Sequence, residues 1–245
     1  MKKSITLKMV FQLLFIVYFS ANAYGQDNTK EIAKDEIIKK SWKAMFGESK
    51  SEDIKSIYFE NQVKGRTEPS ISIVKRPNHF RNEIPVGIAI FNGKRGALIQ
   101  NDSTEGWKNN ELKILETTHW RDFEVDIAFK FPAYFDYQSK YGGRDIVNGK
   151  ENFKIIVELP LGGVVTYFLD TKTFFITKQS LSWIEDSSKV VLEMFVTKYK
   201  NYNGILFPEG YYFEGRKGKV TRSYNSIKFN INPKDELFEI PDELK

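Results

Sequence analysis

The residues able to carry acid–base or ligand chemistry are few and scattered. Two histidines, His79 and His119, stand 40 positions apart. Neither sits in an H-E-x-x-H or comparable ligand spacing, so no metal site is expected. Cysteine is absent, which removes thiolate nucleophiles, Fe–S clusters, Cys-ligated zinc and disulfides together. G-x-S-x-G and G-x-G-x-x-G are absent too. The stretch 143–150 has one residue too many for a P-loop and is followed by Glu151 where Ser or Thr is needed. Carboxylates need closer weighing, because sugar hydrolysis requires only two, one of them an acid held protonated by an apolar setting. Glu193 lies mid-strand among apolar neighbours, and Asp122 and Asp126 share a helix face. Glu193 reads better as an outward-facing strand residue, and the aspartates as the solvated side of an amphipathic helix. No catalytic residue, cofactor or metal is assigned. A glycan or lipid hydrolase therefore ranks third among the readings.

Charge does not point to nucleic acid. The formal net charge is +5, from 37 basic and 32 acidic residues. Met1-Lys2-Lys3 with Lys8, an apolar run over 10–19 and Ala21-Asn22-Ala23 have the form of a secretory signal peptide over 1–25. Losing Lys2, Lys3 and Lys8 leaves 34 basic residues against the same 32 acids, a net charge of +2. The densest basic stretch, Arg216-Lys217-Gly218-Lys219 with Arg222, reads as a solvated hairpin turn. A ten-residue run, interrupted by Gln12, is too short to span a bilayer, and no later run approaches the length required. The expected product is soluble and periplasmic, with no cysteine to acylate and no transmembrane anchor.

The elements that must position any site are mostly strands. Ile38, Trp42 and Met45 recur at helical spacing within 31–46, with Gly47 as a stop. Alternating apolar residues then mark short strands over 57–100, with Asn92-Gly93 as a hairpin turn. The period changes over 117–141, where Trp120, Phe123, Ile127 and Phe131 are spaced 3, 4 and 4 apart and Pro132 breaks the helix. The segment 133–140 reads as a further short turn or helix. Strand signals resume after Gly142-Gly143 and continue to about residue 231. About eleven strands at roughly 10-residue spacing, with two helices, make an α+β fold. The expected architecture is one strongly curved antiparallel sheet, an incomplete β-barrel, in a single domain over 26–245. The helices cover its concave face.

That face is the positive signal. Aromatic residues make up 15% of the chain, which favours strands and large apolar surfaces. The expected inward set is Ile57, Phe59, Ile88, Ile90, Phe153, Ile155, Val157, Leu192, Met194 and Val196, facing helices that carry Trp42, Trp120, Phe123 and Ile127. Such residues form either a packed core or a pocket for an acyl chain, whose burial is worth about 0.8 kcal/mol per CH₂.

Several short motifs, taken in order, resemble the periplasmic lipoprotein carriers of the LolA and LolB superfamily. Val74-Lys75-Arg76-Pro77-Asn78-His79-Phe80 is similar to a family strand ending in Lys-Arg-Pro, and Phe91-Asn92-Gly93-Lys94 to the hairpin that follows it. The stretches 141–149, 166–178 and 199–208, with Phe238-Glu239-Ile240-Pro241, resemble later family motifs. Two departures stand out: Gly96-Ala97 replaces the aromatic usual after the hairpin, and the helical insertion is long and aromatic. The resemblance implies a half-barrel with helices over a cavity for lipid or lipoprotein acyl chains. It also implies that Arg76 holds the helical lid closed. The leading expectation is a carrier or chaperone without covalent chemistry, with release by the helices swinging off the sheet. The alternative is a regulatory or structural module docking an envelope protein through the same fold.

Overall fold

The structure is a computed structural model and describes residues 33–63, 69–84, 87–100, 112–114, 124, 126–185, 187–215 and 218–240. The expectations placed on Trp120, Phe123, Asp122, His119 and the leader lie outside these residues.

The first described element is α1 (Lys34–Phe46), which buries Ile37, Ser41, Met45 and Phe46 on one stripe. Asp35 and Glu36 occupy its first turn and Lys43 its last, complementing the helix dipole. It stops at Gly47, whose φ of +66° costs a glycine nothing and whose N–H closes onto Lys43 O at 3.0 Å.

All the strands among the described residues join one antiparallel sheet. They are β1 (Ser56–Val63), β2 (Ser70–Lys75), β3 (His79–Ile84), β4 (Gly87–Asn92), β5 (Gly96–Gln100), β6 (Leu112–Ile114), β7 (Ser139–Val147), β8 (Lys150–Glu158), β9 (Val164–Asp170), β10 (Ile176–Glu185), β11 (Ser188–Tyr202), β12 (Ile205–Gly215) and β13 (Gly218–Phe229). Their order is β6-β5-β4-β3-β2-β1-β13-β12-β11-β10-β9-β8-β7, so the sheet is open, with β6 and β7 at its edges. Thirteen strands replace the expected eleven or so. One difference is that 133–140 is not wholly turn or helix: a 3₁₀ turn covers Ala133–Phe135, and β7 already begins at Ser139. Register shifts interrupt β1, β7, β10 and β11, and each such bulge sharpens the local twist that curls a sheet.

One topological fact places the cover. β6 and β7 are consecutive in sequence but lie at opposite edges, and described residues of the segment that joins them pack on a face of the sheet. The helical residues 126–130 and Phe131 belong to this crossing segment. Ile127 and Phe131 join Ile57, Phe59, Val74, Phe80, Phe91, Met194, Phe207, Tyr211, Tyr224 and Ile227 in one buried cluster, together with Met45 and Phe46 of α1. Helix and crossing therefore lie on the same face, the concave one.

The crossing is fixed to the other half of the sheet by Tyr167 of β9, which exposes none of its surface. Its hydroxyl accepts from Ala133 N–H at 2.8 Å and donates to Ala128 O at 2.9 Å, on either side of the break made by Pro132. The Tyr134 ring stands edge-on to it at 4.8 Å, and the Tyr134 hydroxyl shares a hydrogen bond with Ser41 of α1. Tyr167→Phe keeps the shape and leaves a buried N–H and a buried carbonyl without partners. It is expected to lower stability by about 2 kcal/mol, measured by urea unfolding with an unchanged m-value.

Candidate functional site: the concave face and its latch

The register sorts the residues of the expected inward set. Ile57 pairs with Val74 on one side and Phe229 on the other, and Val74 pairs in turn with Phe80, which pairs with Phe91. This row belongs to the concave face. Ile57, Phe59, Met194 and Ile127 lie in the main cluster, with Trp42 packed against it. Phe153, Ile155 and Val157 are buried on the other wing, paired through β9 with Leu169, Tyr167 and Val165. Leu192 and Val196 flank Met194 on the inner side of β11 but remain partly exposed.

Ile88 and Ile90 belong elsewhere. Strand residues alternate between faces, and Ala89 and Phe91 are the ones that meet the main cluster. Ile90 pairs with Arg81 and Ala97 on the convex face, where Ala97 packs with Ile240 of the C-terminal segment. The strand Gly87–Asn92 is apolar on both faces, which is why its parity was misread. Ile90 is buried there, beside the contact of Ala97 with Ile240.

Ile57, Phe59, Ile155, Val157 and Tyr167 expose no surface either to bulk water or to an internal void. Around these residues the face is packed. Ring fits ring there: Trp42 stacks on Phe46 at 4.2 Å and meets Phe135 edge-on at 4.7 Å, while Phe46 touches Phe131, Phe207 and Phe229. Beyond this block the same face carries partly exposed side chains, among them Ala89, Leu98, Leu192, Val196 and Phe213.

Arg76, directly after β2, ties the cover to the rim of the sheet. Its backbone N–H donates to Lys55 O at 2.9 Å. Its guanidinium donates to Ser51 O at 2.6 Å and Ile54 O at 2.5 Å, both in the segment that follows α1. Nε reaches both carboxylate oxygens of Asp136 at 3.1 Å, and Nη2 pairs with Oδ1. The plane of charge lies 4.1 Å over the Phe131 ring. Two chain segments and an aromatic face thus converge on one cation, a geometry that a planar fork of five donors can satisfy and an ammonium cannot. A cleft of about 490 Å³ opens beside it, lined by Ser51, Ile54, Pro77, Phe135 and Asp136 among others.

The other chemistry-bearing residues hold structural places. Glu193 is on the convex face, ion-paired with Lys178 at 2.5 Å. Glu124, which the sequence analysis did not single out, is buried, and burial pushes its carboxyl above the ordinary value. It accepts Leu161 N–H at 2.9 Å and so anchors the turn after β8. Its helical neighbour Asp126 drew attention as an acid, whereas Glu124 on the inner side of the same helix gave no signal of its own. Among the described residues no group of three His, Asp or Glu could hold a metal ion, and no helix is long and apolar enough to cross a membrane. Arg222 also departs from expectation. It lies within β13 facing inward, not on the solvated turn.

No family model and no curated protein matches the chain. Solved structures do. A DUF1329 family protein from Desulfovibrio piger superposes with a TM-score of 0.52 at 8% identity, over 84% of this chain and 96% of that one. A LolA superfamily protein from Nitrosomonas europaea superposes with a TM-score of 0.50 at 12% identity, over 85% and 98%. The chain shares the fold of these two proteins. At such identities the likeness fixes the LolA-like architecture and leaves function to the residues.

Two outcomes follow from this geometry. In Asp136→Ala, Arg76 is left charged and nearly buried without its counter-ion, a change that costs about 3 kcal/mol on the scale of broken buried pairs. The loss should appear in hydrogen exchange as reduced protection of α1 and residues 126–136, while the β8–β10 wing keeps its protection. The second concerns His79, which packs edge-on to Phe238 at 5.6 Å on the convex face with Nδ1 buried and unpartnered. Burial, and then the nearby Lys75, hold its pKa below the ordinary 6.5. The unfolded chain therefore takes up the proton first, so this contribution is intact above pH 6.5 and is lost as pH falls below it. Stability measured by denaturant titration should decline on acidification through that window, and His79→Gln should flatten this part of the decline.

Proposed function

We propose that this chain is an exported binding protein or carrier for lipid, or for the acyl chains of a lipoprotein, and performs no covalent chemistry. The observation that carries the reading is the division of the concave face. One part is sealed by a cover that Arg76 latches to the rim. The rest presents partly exposed apolar side chains on the same continuous surface. An apolar chain laid along that surface from Leu192 and Val196 toward the cover gains burial without any polar contact. Arg76 acts as the lid-closing residue, keeping the cover seated when no ligand is present. The LolA-like fold supports this reading.

The test is a chain-length series. Single-chain alkyl probes of 8 to 14 carbons should bind the mature protein with affinity rising about fourfold for each added methylene, the equivalent of 0.8 kcal/mol per CH₂. Native mass spectrometry of protein purified from its own envelope should show a lipid adduct that organic solvent removes. Affinity independent of chain length, together with protein that never carries lipid, overturns the reading.

A further inference from the structure

Arg222 is an inward-facing arginine that makes no ion pair among the described residues. It sits on β13 directly opposite Val63 of β1 and Tyr211 of β12. Tyr211 and Tyr224, its neighbours across and along the strand, belong to the buried concave cluster, so alternation turns Arg222 onto the same face. Its guanidinium stands 5.3 Å from the centre of the Phe213 ring. Nε is shut off from water and makes no hydrogen bond.

The contrast with the other inner arginine is informative. Arg76 is held by a carboxylate and two carbonyls, and on other surfaces Arg81 and Arg144 each have a glutamate. Among the described residues Arg222 has no carboxylate within ion-pair distance. Asp126 is close enough for its charge to be felt at the Tyr224 hydroxyl, as is that of Arg222, yet the two do not pair. A buried donor on a charged group is costly to leave unmet, and Nε is such a donor, open to an acceptor that comes from outside the chain.

The surroundings say what kind of partner. Val196 lies across Tyr211 in the same row, Phe213 and Met194 form the next row, and Leu192 lies beyond. On the other side runs a polar row across three strands: Asn61 Nδ2 donates to Ser72 Oγ at 3.0 Å, and Ser72 Oγ donates to Asn82 Oδ1 at 2.8 Å. Arg222 thus stands where a polar row meets the open apolar half of the face. That is the pattern of an amphiphile's footprint: one charged head and an apolar chain.

We propose that Arg222 receives the anionic head, a carboxylate or a phosphate, of an amphiphile whose chain lies over Phe213, Val196 and Leu192. A guanidinium presents paired N–H donors that match either oxyanion. This rests on the reading of the concave face as an apolar-chain site and adds the class of molecule that it selects.

The experiment compares four probes on the mature protein by titration calorimetry: dodecanoate, dodecyl phosphate, dodecanol and inorganic phosphate. Each is measured with wild type, Arg222→Gln and Arg222→Lys, the variants first shown to keep the wild-type near-ultraviolet circular dichroism. The expected result is that both anionic amphiphiles bind at least tenfold more tightly than dodecanol. That preference should vanish in Arg222→Gln with dodecanol affinity unchanged, and survive in part in Arg222→Lys. Inorganic phosphate should bind far more weakly than dodecyl phosphate. Equal binding of charged and neutral amphiphiles overturns the role of Arg222 and leaves the carrier reading standing. Binding of inorganic phosphate as tight as dodecyl phosphate overturns the amphiphile class and identifies a free-anion site. Failure of all the amphiphiles to bind wild type overturns both readings.

Discussion

The pairing of β1 with β13 is the constraint on which the rest of the molecule depends. It joins the first described strand to the last in the middle of the sheet, and so pushes β6 and β7 to opposite edges. The described residues of the connection between these edges pack on the apolar face, where Ile127 and Phe131 are buried. The cover is part of the main chain's path and cannot leave without remaining tethered at both ends.

Three contacts turn that crossing into a fixed object. Tyr167 satisfies the backbone on both sides of Pro132, where the ring interrupts the helical hydrogen-bond ladder and would otherwise leave polar groups buried. Ser41 and Tyr134 bind α1 to the crossing. Arg76 binds both to the rim. The first two are neutral and lie in the dry interior. The third is ionic and beside a cleft, which makes it the contact most open to water and to salt.

The sequence made some of this legible and hid the rest for physical reasons. Strand β8 alternates cleanly, so Phe153, Ile155 and Val157 could be assigned to one buried face. In β4 every residue from Gly87 to Phe91 is apolar or lacks a side chain. Periodicity then carries no parity, and only pairing with Arg81 and Ala97 places Ile90 on the far side. Gly47 and Pro132 acted where local backbone chemistry placed them. Arg222 was legible only as one more basic residue near a turn, because the strand's start and its inward face are set by pairing with β12 and β1. Arg76 was singled out by resemblance alone. Nothing in its local sequence announces that Ser51, Ile54 and Asp136, up to 60 residues away, converge on it.

The aromatic content of the chain bears on how a ligand could enter. Lifting α1 and the crossing off the sheet would expose Met45, Phe46, Ile127 and Phe131, each at 5% exposure or less. At about 1.5–3 kcal/mol for each side chain, that is roughly 6–12 kcal/mol, comparable with the stability of an entire domain. A wholesale swing of the helices, the release mode expected from the sequence, therefore costs about as much as unfolding. The partly exposed residues beyond the aromatic block offer apolar surface at no such cost. Binding that leaves Phe46 and Phe131 in place, and shifts the cover only at its edge, is the mode that the energetics permit. On that view the aromatic excess does both jobs weighed at the outset in different places: it packs the face beneath the cover, and at Phe213 it forms part of the surface left open.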